Sequence, residues 1–313
     1  MKSLIDPFGR KIRKLRISLT DKCNLRCHYC MPINSQFMSE EKYISPDLYH
    51  QIVEELCEYG LEELRITGGE PLLRKSFENI VSGFKGLGLA KIGMTTNGIL
   101  LDRYADILKE NNINHLNISL DSLDQENFKK ITNGNRLAVV LKNIQLVKKM
   151  GFDVKINTVA MRGINDHELF NFIDYSKEMD IEVRFLEIMR IGFANGEQNN
   201  QFISANEMIK EIQNKFELFP VKKESDSTSF NFQLNNGAQI GFIASESQPF
   251  CTNCSRWRLS ADGKLRACLL KDAGLSIKNT DKKRREEIYL ELLGMKPEMR
   301  PYQVDHQMNE IGG

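Results

Sequence analysis

The chain has 313 residues, of which 41% are apolar and 27% charged, enough to bury a large core as one α/β domain or as a domain with an appendage. Its 43 basic and 42 acidic side chains give a formal charge of +1. This excludes a global electrostatic field that would draw the protein to nucleic acid or anionic lipid. There is no apolar run of membrane-spanning length, and the N-terminus lacks the apolar core and cleavage site of a signal peptide. We therefore expect a cytoplasmic protein with neither a nucleic-acid nor a membrane partner.

Short β-rich runs alternate with stretches of helical period, such as 46–59 and 137–150, which predicts βα units and a parallel sheet. Six such units with right-handed crossovers predict an α/β fold, an incomplete (β/α)₆ TIM-type barrel. In this architecture, ligand-binding groups gather at the carboxyl ends of the strands. The predicted strands are Lys14–Leu19, Glu63–Thr67, Lys91–Thr95, His115–Leu120, Val154–Val159 and Glu182–Ile188.

The pattern changes after roughly Lys215. Hairpin signals at Asn235-Asn236-Gly237 and Ala261-Asp262-Gly263 predict a C-terminal antiparallel extension. A charged amphipathic helix is predicted at Lys282–Leu293. We divide the chain into a partial barrel, 1–215, and a C-terminal antiparallel region, 216–313.

Seven cysteines without an export signal favour metal ligation over disulfides, because cytosolic thiols are kept reduced. Cys57 stands apart in an apolar-periodic stretch, which predicts a buried helix thiol. The other six form two triplets. We call Cys23, Cys27 and Cys30 the first triplet, and Cys251, Cys254 and Cys268 the second triplet.

The first triplet has the spacing CxxxCxxC, which supplies three thiolates from one loop. A [4Fe–4S] cluster held by three cysteines keeps one iron free for a small molecule, whereas a zinc site needs four ligands, commonly from two close pairs. A zinc knuckle completed by His28 is the alternative. The second predicted strand ends in Gly68-Gly69-Glu70-Pro71, where glycines allow a close backbone approach and Glu70 is a candidate carboxylate beside a cationic cofactor.

The second triplet again lacks a fourth ligand, which leaves open a zinc site completed by a distant histidine or by Cys57. Arg256 and Arg258 alternate directly after Cys254, so on a strand their side chains share one face. Such a pair can clamp a polyphosphate bidentately. The second triplet and the arginines together predict a cluster beside an anion site.

CxxxCxxC, the aromatic Tyr29 before the third cysteine and the Gly-Gly-Glu-Pro segment together resemble the radical S-adenosylmethionine superfamily. The block from Cys251 to Cys268, with Gly312-Gly313 at the end, is similar to one of its subfamilies, the molybdenum cofactor biosynthesis protein A family of GTP 3′,8-cyclases. This resemblance covers the whole chain and implies an incomplete barrel closed by a C-terminal cluster domain. It also implies S-adenosylmethionine and two [4Fe–4S] clusters as cofactors, with GTP as substrate.

The resemblance further implies a role for individual residues. The two triplets would hold the two clusters, and the first triplet, Arg256 and Arg258 would be catalytic. In the family, a 5′-deoxyadenosyl radical removes the C3′ hydrogen of GTP, the second cluster binds guanine, and the Gly-Gly tail reaches the active site. The implied S-adenosylmethionine contacts are Tyr29, Gly69, Ser119 and Met189. The implied GTP contacts are Arg16, Arg65, Thr95, Lys155, Arg256, Trp257 and Arg258.

Two alternatives remain. A peptide-modifying maturase with an auxiliary cluster would share the first triplet, and a zinc-dependent nucleic-acid module would share the paired cysteines. The expected partners are an electron donor of the flavodoxin or ferredoxin type and, as pathway neighbour, the cyclic pyranopterin monophosphate synthase; a homodimer is the candidate oligomer. The loop 33–43 and the polar segment 224–236 match no family-specific residue.

Overall fold

A computed structural model of the protein describes residues 3–196, 198–222 and 225–312. Twelve strands and ten α-helices are found in these residues, together with short 3₁₀ turns. The strands are β1 Lys14–Ser18, β2 Glu63–Thr67, β3 Lys91–Thr96, β4 His115–Ser119, β5 Asp153–Ala160, β6 Glu182–Glu187, β7 Leu218–Val221, β8 Phe230–Leu234, β9 Gln239–Ile243, β10 Arg256–Leu259, β11 Lys264–Arg266 and β12 Leu275–Ser276. The helices are α1 Pro46–Glu58, α2 Phe77–Ser82, α3 Leu101–Glu110, α4 Gln125–Thr132, α5 Leu137–Lys149, α6 Leu169–Met179, α7 Gln198–Gln201, α8 Ala205–Gln213, α9 Lys282–Gly294 and α10 Met308–Ile311.

All twelve strands form one sheet, in the order β12-β11-β10-β1-β2-β3-β4-β5-β6-β9-β8-β7. Strands β1 to β6 are parallel neighbours in chain order, and β10 and β9 continue the parallel run on either side. Strands β11 and β12 at one edge, and β8 and β7 at the other, are antiparallel. Among the described residues the two edge strands do not pair with each other, so the sheet is open.

Strand alternation separates the hydrophobic core from the functional face. On β1, Leu15 and Ile17 are buried in the main core, whereas Arg16 between them points to the opposite side. The same alternation places Leu64 and Ile66 of β2 in the core and Arg65 on the cavity side. Since successive side chains on a strand face opposite ways, one face packs on the helices while the other carries polar groups.

The α/β class, the parallel strands and the antiparallel C-terminal strands are confirmed. All six predicted strands are present, with ends within one residue of those predicted. Both predicted hairpin turns join antiparallel neighbours, β8 to β9 and β10 to β11. Barrel curvature remains a prediction, as does the domain boundary at 215/216, which falls between α8 and β7. Among the described residues, no helix is both long and apolar enough to cross a membrane.

Several helices begin at a side-chain cap that the sequence supplies. Ser45 accepts a hydrogen bond from Leu48 N–H with proline following it at the first position of α1, and Asp281 caps α9 through Arg284 N–H. Helix α9 packs on α1 through a buried ion pair, in which Glu55 accepts from Arg285 and from Tyr289. This pair fixes the C-terminal region against the first helix.

Candidate active site

The first triplet lies on the loop that follows β1. The N–H groups of Arg26 and His28 donate to backbone carbonyls at the end of α4, at 2.8 and 3.0 Å, and so anchor the loop. Cys23, Cys27 and Cys30 are free, partly buried thiols that line the same cavity. Three soft sulfur ligands on one anchored loop fit a cluster with one open iron. His28 does not line this cavity; its ring lies near Gln201.

Burial changes the acidity of these thiols. It raises the pKa of Cys23 to about 11 and that of Cys30 to about 12, and raises the pKa of Cys27 well above its usual value. The thiolate is the metal-binding form, so a positively charged metal centre is needed to stabilise it here. The first triplet is therefore suited to permanent ligation and poorly suited to nucleophilic chemistry.

The second triplet is assembled by the hairpin of β10 and β11. Cys251 and Cys254 precede β10, and the antiparallel pairing of β10 with β11 brings Cys268 back beside them. Burial would raise the pKa of the Cys254 thiol, but the charges of Arg256 and Lys296 outweigh it and lower this pKa to about 7. Cys254 thus lies in a more positive environment than the thiols of the first triplet.

Both triplets line one cavity of about 330 Å³, which we call the sulfur cavity. Parallel strands bring their carboxyl ends to the same side of the sheet, which places the strand-end residues around this space. Most of the predicted contacts lie here: Tyr29, Gly69, Thr95, Ser119, Met189, Arg16, Arg256 and Arg258.

A second, basic cavity of about 280 Å³ shares Arg16 and Arg256 with the sulfur cavity. Its lining includes the other two predicted GTP contacts with cavity-facing side chains, Arg65 and Lys155. Lys155 forms an ion pair with Glu182 at 3.0 Å. The predicted contacts therefore divide between two adjoining spaces, one with sulfur and one with positive charge.

The arginines at this junction lack enough negative charge to balance them. Arg16 and Arg258 are register partners on β1 and β10. Burial, together with neighbouring arginines, lowers the pKa of Arg16 well below its usual value, and burial lowers that of Arg65 and of Arg258 to about 10. Clustered buried cations are costly without an anion, so the junction favours an anionic ligand.

Trp257 is placed differently from the other predicted GTP contacts. Its register partner is Leu15, so its side chain lies on the core face of the sheet, where it is fully buried and packs against Tyr289. Alternation along β10 makes this unavoidable if Arg256 and Arg258 face the cavity. The Trp257 side chain therefore packs in the core and does not line either cavity.

Glu70 also differs from the expectation of a cofactor-facing carboxylate. It is fully buried, and its oxygens accept from the Thr96 hydroxyl at 2.9 and 3.0 Å, from Asn97 N–H at 2.8 Å and from Leu72 N–H at 3.2 Å. These bonds tie the end of β2 to the end of β3. Burial, partly opposed by the hydrogen bond from Asn97, raises the pKa of Glu70 to about 7.

Gly69 fits tightly against the loop that carries the first triplet. Its N–H donates to Thr20 O at 2.7 Å, and a Cβ at this position would lie 2.4 Å from Lys22 O and 2.7 Å from Asp21 O. Only glycine permits this close backbone approach. The Gly-Gly segment thereby sets the position of the loop just before Cys23.

Asp121 and Arg184 are among the cavity residues that were not predicted as site residues. Asp121 accepts from the Tyr29 hydroxyl at 2.7 Å and from Val159 N–H at 2.8 Å, and burial raises its pKa to about 6 against the effect of these hydrogen bonds. Arg184 lines both cavities beside its partner Glu182. Arg184 sits inside a strand, as Arg16 and Arg65 do, and the same argument applied to β6 would have found it.

The C-terminal tail reaches the strand ends. The Gly312 carbonyl accepts from Arg258, and a Cβ at Gly312, whose φ is +75°, would overlap Thr67. Asn309 donates to Asp21 O at 3.1 Å beside the first triplet. Gly313, the other half of the predicted tail, lies outside the described residues.

With this geometry established, comparison with known proteins defines the class. Residues 17–176 match the Radical SAM superfamily, and residues 181–301 match Molybdenum Cofactor Synthesis C. The fold is similar to that of Streptococcus suis SuiB bound to S-adenosylmethionine, with a TM-score of 0.64 at 14% identity over 90% of this chain and 68% of that one. The chain belongs to the radical S-adenosylmethionine superfamily.

Curated relatives define the family within it. A GTP 3′,8-cyclase of Synechocystis sp. is 54% identical over 312 residues, covering 100% of this chain and 95% of that protein. A GTP 3′,8-cyclase of Aquifex aeolicus is 37% identical over 280 residues, covering 88% of each. The chain is a member of the GTP 3′,8-cyclase family, whose cofactors are S-adenosylmethionine and [4Fe–4S] clusters.

Proposed function

We propose that this protein is a GTP 3′,8-cyclase, which converts GTP to (8S)-3′,8-cyclo-7,8-dihydroguanosine 5′-triphosphate in the first step of molybdenum cofactor biosynthesis. One observation carries the proposal: two cysteine triplets and the pair Arg256 and Arg258 line a single cavity. A relative named for this activity is 54% identical over the whole chain.

We assign the first triplet to the cluster that binds S-adenosylmethionine. The donor set fits, because three partly buried thiols lie on one loop and Gly69 lets backbone approach a ligand closely. When bound, the reduced cluster and S-adenosylmethionine supply a 5′-deoxyadenosyl radical. Tyr29, Ser119 and Met189, at the cavity wall, orient the cofactor and exclude water.

We assign the second triplet to an auxiliary cluster whose open iron receives the guanine. The hairpin of β10 and β11 holds the base side of the site, while Arg16, Arg256 and Arg258 supply charge for the phosphates. The basic cavity continues this charge with Arg65 and Lys155. A nucleotide held in this way at its base and at its phosphates would present its ribose to the radical source.

The test is an anaerobic assay with reduced protein, S-adenosylmethionine and GTP. We expect 5′-deoxyadenosine together with a cyclised guanosine triphosphate. Cofactor cleavage that leaves GTP intact would refute the substrate and favour the maturase alternative. Stoichiometric zinc, with no absorbance near about 400 nm after reconstitution with iron, would favour the zinc module.

Two variants separate the assigned roles. Cys23→Ala removes a ligand of the first cluster, so it should abolish cofactor cleavage while GTP still binds. Arg256→Ala should instead weaken GTP binding by roughly 10-fold or more, since hydrogen bonds to charged groups contribute about 1.5–3 kcal/mol. An unchanged GTP affinity in Arg256→Ala would contradict the phosphate role.

The finer partners are also proposals. The first cluster needs a one-electron donor, for which we propose a flavodoxin- or ferredoxin-type protein in the cytoplasm. The product feeds the cyclic pyranopterin monophosphate synthase, and a homodimer is the proposed assembly. Turnover supported by each purified donor, and the mass in solution, test these assignments.

A further inference from the structure

A buried lysine lies against the second triplet. Lys296 follows α9 and is only 3% exposed. Its Nζ lies 3.4 Å from Cys254 Sγ, 2.9 Å from Arg256 O and 3.2 Å from Ala267 O. An ammonium has three N–H donors, so these three acceptors account for all of them.

The surroundings of Lys296 point to the sulfur as its counter-charge. Burying an ammonium is costly unless it is paired with an anion and hydrogen-bonded. Two of its three acceptors among the described residues are neutral backbone carbonyls, and the third is a cysteine sulfur. Only the sulfur can carry the negative charge that offsets the lysine.

The contacts also hold the ligand-bearing backbone together. Arg256 follows Cys254 by two residues, and Ala267 directly precedes Cys268, so one ammonium joins both ligand stretches. Arg10 completes the arrangement on the other side, donating to Cys251 O at 2.9 Å and to Pro297 O at 2.8 Å. Two cations, from the start and the end of the chain, thus connect all three ligand positions with the segment after α9.

We propose that Lys296 is a positioning residue of the second cluster, which donates a hydrogen bond to the Cys254 ligand sulfur and stabilises the cluster's reduced state. This inference rests on the part of the proposed function that places a [4Fe–4S] cluster on the second triplet. One-electron reduction adds a negative charge to a cluster already surrounded by thiolates, and no bond breaks. A nearby cation and a hydrogen bond to the sulfur favour that state, because charges and hydrogen bonds around the ligand sulfurs set the reduction potential of a cluster.

The experiment measures the cluster's reduction potential without GTP. The full-length protein with the first triplet changed to alanine is reconstituted anaerobically, so that EPR during titration with dithionite reports only the second cluster. In Lys296→Met we expect the equilibrium constant for reduction of the second cluster to fall about tenfold. For one electron this corresponds to a reduction potential about 59 mV more negative. Lys296→Arg keeps the charge and should stay near the parent value.

Lys271→Met is the matched control. Lys271 donates to the carbonyl of Met295, the residue directly before Lys296, at 2.8 Å. This variant should leave the potential and the EPR signal unchanged. If Lys296→Met loses iron, Lys296→Gln replaces it, because an amide can still donate to a carbonyl without carrying charge.

The outcomes separate the possibilities. A more negative reduction potential in Lys296→Met or Lys296→Gln, but not in Lys296→Arg, supports the proposal, as does loss of iron from the first two variants with retention in Lys296→Arg. An unchanged potential in fully loaded Lys296→Met, or an equal effect of all three substitutions, overturns it. A parent protein that loads no second cluster would instead refute the proposed function, and a shift without cyclase activity would sustain this inference alone.

Discussion

Replacing Gly69 with alanine should disable the first triplet without touching a cysteine. The added Cβ would lie 2.4 Å from Lys22 O, which is backbone and cannot swing away. Restoring a separation of about 3.0 Å requires a shift of roughly 0.6 Å in the loop or in the Gly-Gly segment, and overpacking of this kind costs about 1–3 kcal/mol. Because misplacement by about 1 Å can cost about 100-fold in rate, we expect cofactor cleavage to fall by roughly 10- to 100-fold.

The assay for Gly69→Ala measures 5′-deoxyadenosine formation and iron content after anaerobic reconstitution. Gly294→Ala is the matched control, since nothing lies within 4 Å of a Cβ built there and its φ is not in the left-handed region. It should retain the parent rate. If Gly69→Ala kept both full iron and a cleavage rate within about twofold of the parent, the close approach would have no part in placing the loop.

Substitutions at three further residues, Glu70, Trp257 and Arg184, test other features of the structure. Burial raises the pKa of Glu70 in the folded state to about 7. The carboxyl group therefore stabilises the fold below its unfolded-state pKa, and this part of the unfolding free energy is lost as pH rises towards 7, by at most about 1.4 kcal/mol per pH unit. Glu70→Gln should remove this part of the dependence of unfolding free energy on pH. Urea titrations at several pH values give the unfolding free energy of the parent and of Glu70→Gln. If this free energy changes with pH equally in both, the raised pKa is disproved. Trp257→Ala should cost about 3–5 kcal/mol of unfolding free energy. Trp257→Phe should bind GTP with an affinity within about twofold of the parent. Weaker GTP binding by a stably folded Trp257→Phe would show that the indole contacts GTP. Arg184→Ala should weaken GTP binding by roughly 10- to 100-fold, and Arg162→Ala, which removes an exposed pair with Glu207, should not. If calorimetry gives Arg184→Ala and the parent the same affinity for GTP, Arg184 does not contact the phosphates.

Residues predicted from local sequence signals lie together because a parallel sheet gathers its strand ends on one side. Ser119, Thr95 and Gly69 follow or end different strands, yet all line one cavity. Alternation likewise predicted that Arg256 and Arg258 face the same side, since residues two positions apart on a strand share a face. Spacing within one loop was sufficient for the first triplet.

Long-range packing could not be read in the same way. Glu70 lies between two predicted site segments, but only the fold shows that its oxygens are taken up by β3. Asp121 and Tyr29 are 92 residues apart in sequence and meet only because α4 holds the cysteine loop in place. Lys296 gave no local signal at all, because a single lysine after a charged helix is ordinarily solvated.

Trp257 illustrates a different limit. The resemblance assigned a role to a three-residue block, whereas strand alternation sends its middle side chain to the opposite face from its neighbours. Applying the alternation argument to all three residues would have separated Trp257 from the two arginines before the fold was known.

If the sulfur cavity brings a radical source and GTP together, the hydrogen that leaves the ribose can be followed by isotope labelling. GTP deuterated at C3′ is supplied, and deuterium in 5′-deoxyadenosine is measured during anaerobic turnover. We expect transfer of that deuterium together with formation of the 3′,8-cyclised triphosphate. Cofactor cleavage with no deuterium transfer, or with transfer from another ribose position, would contradict the proposed reaction.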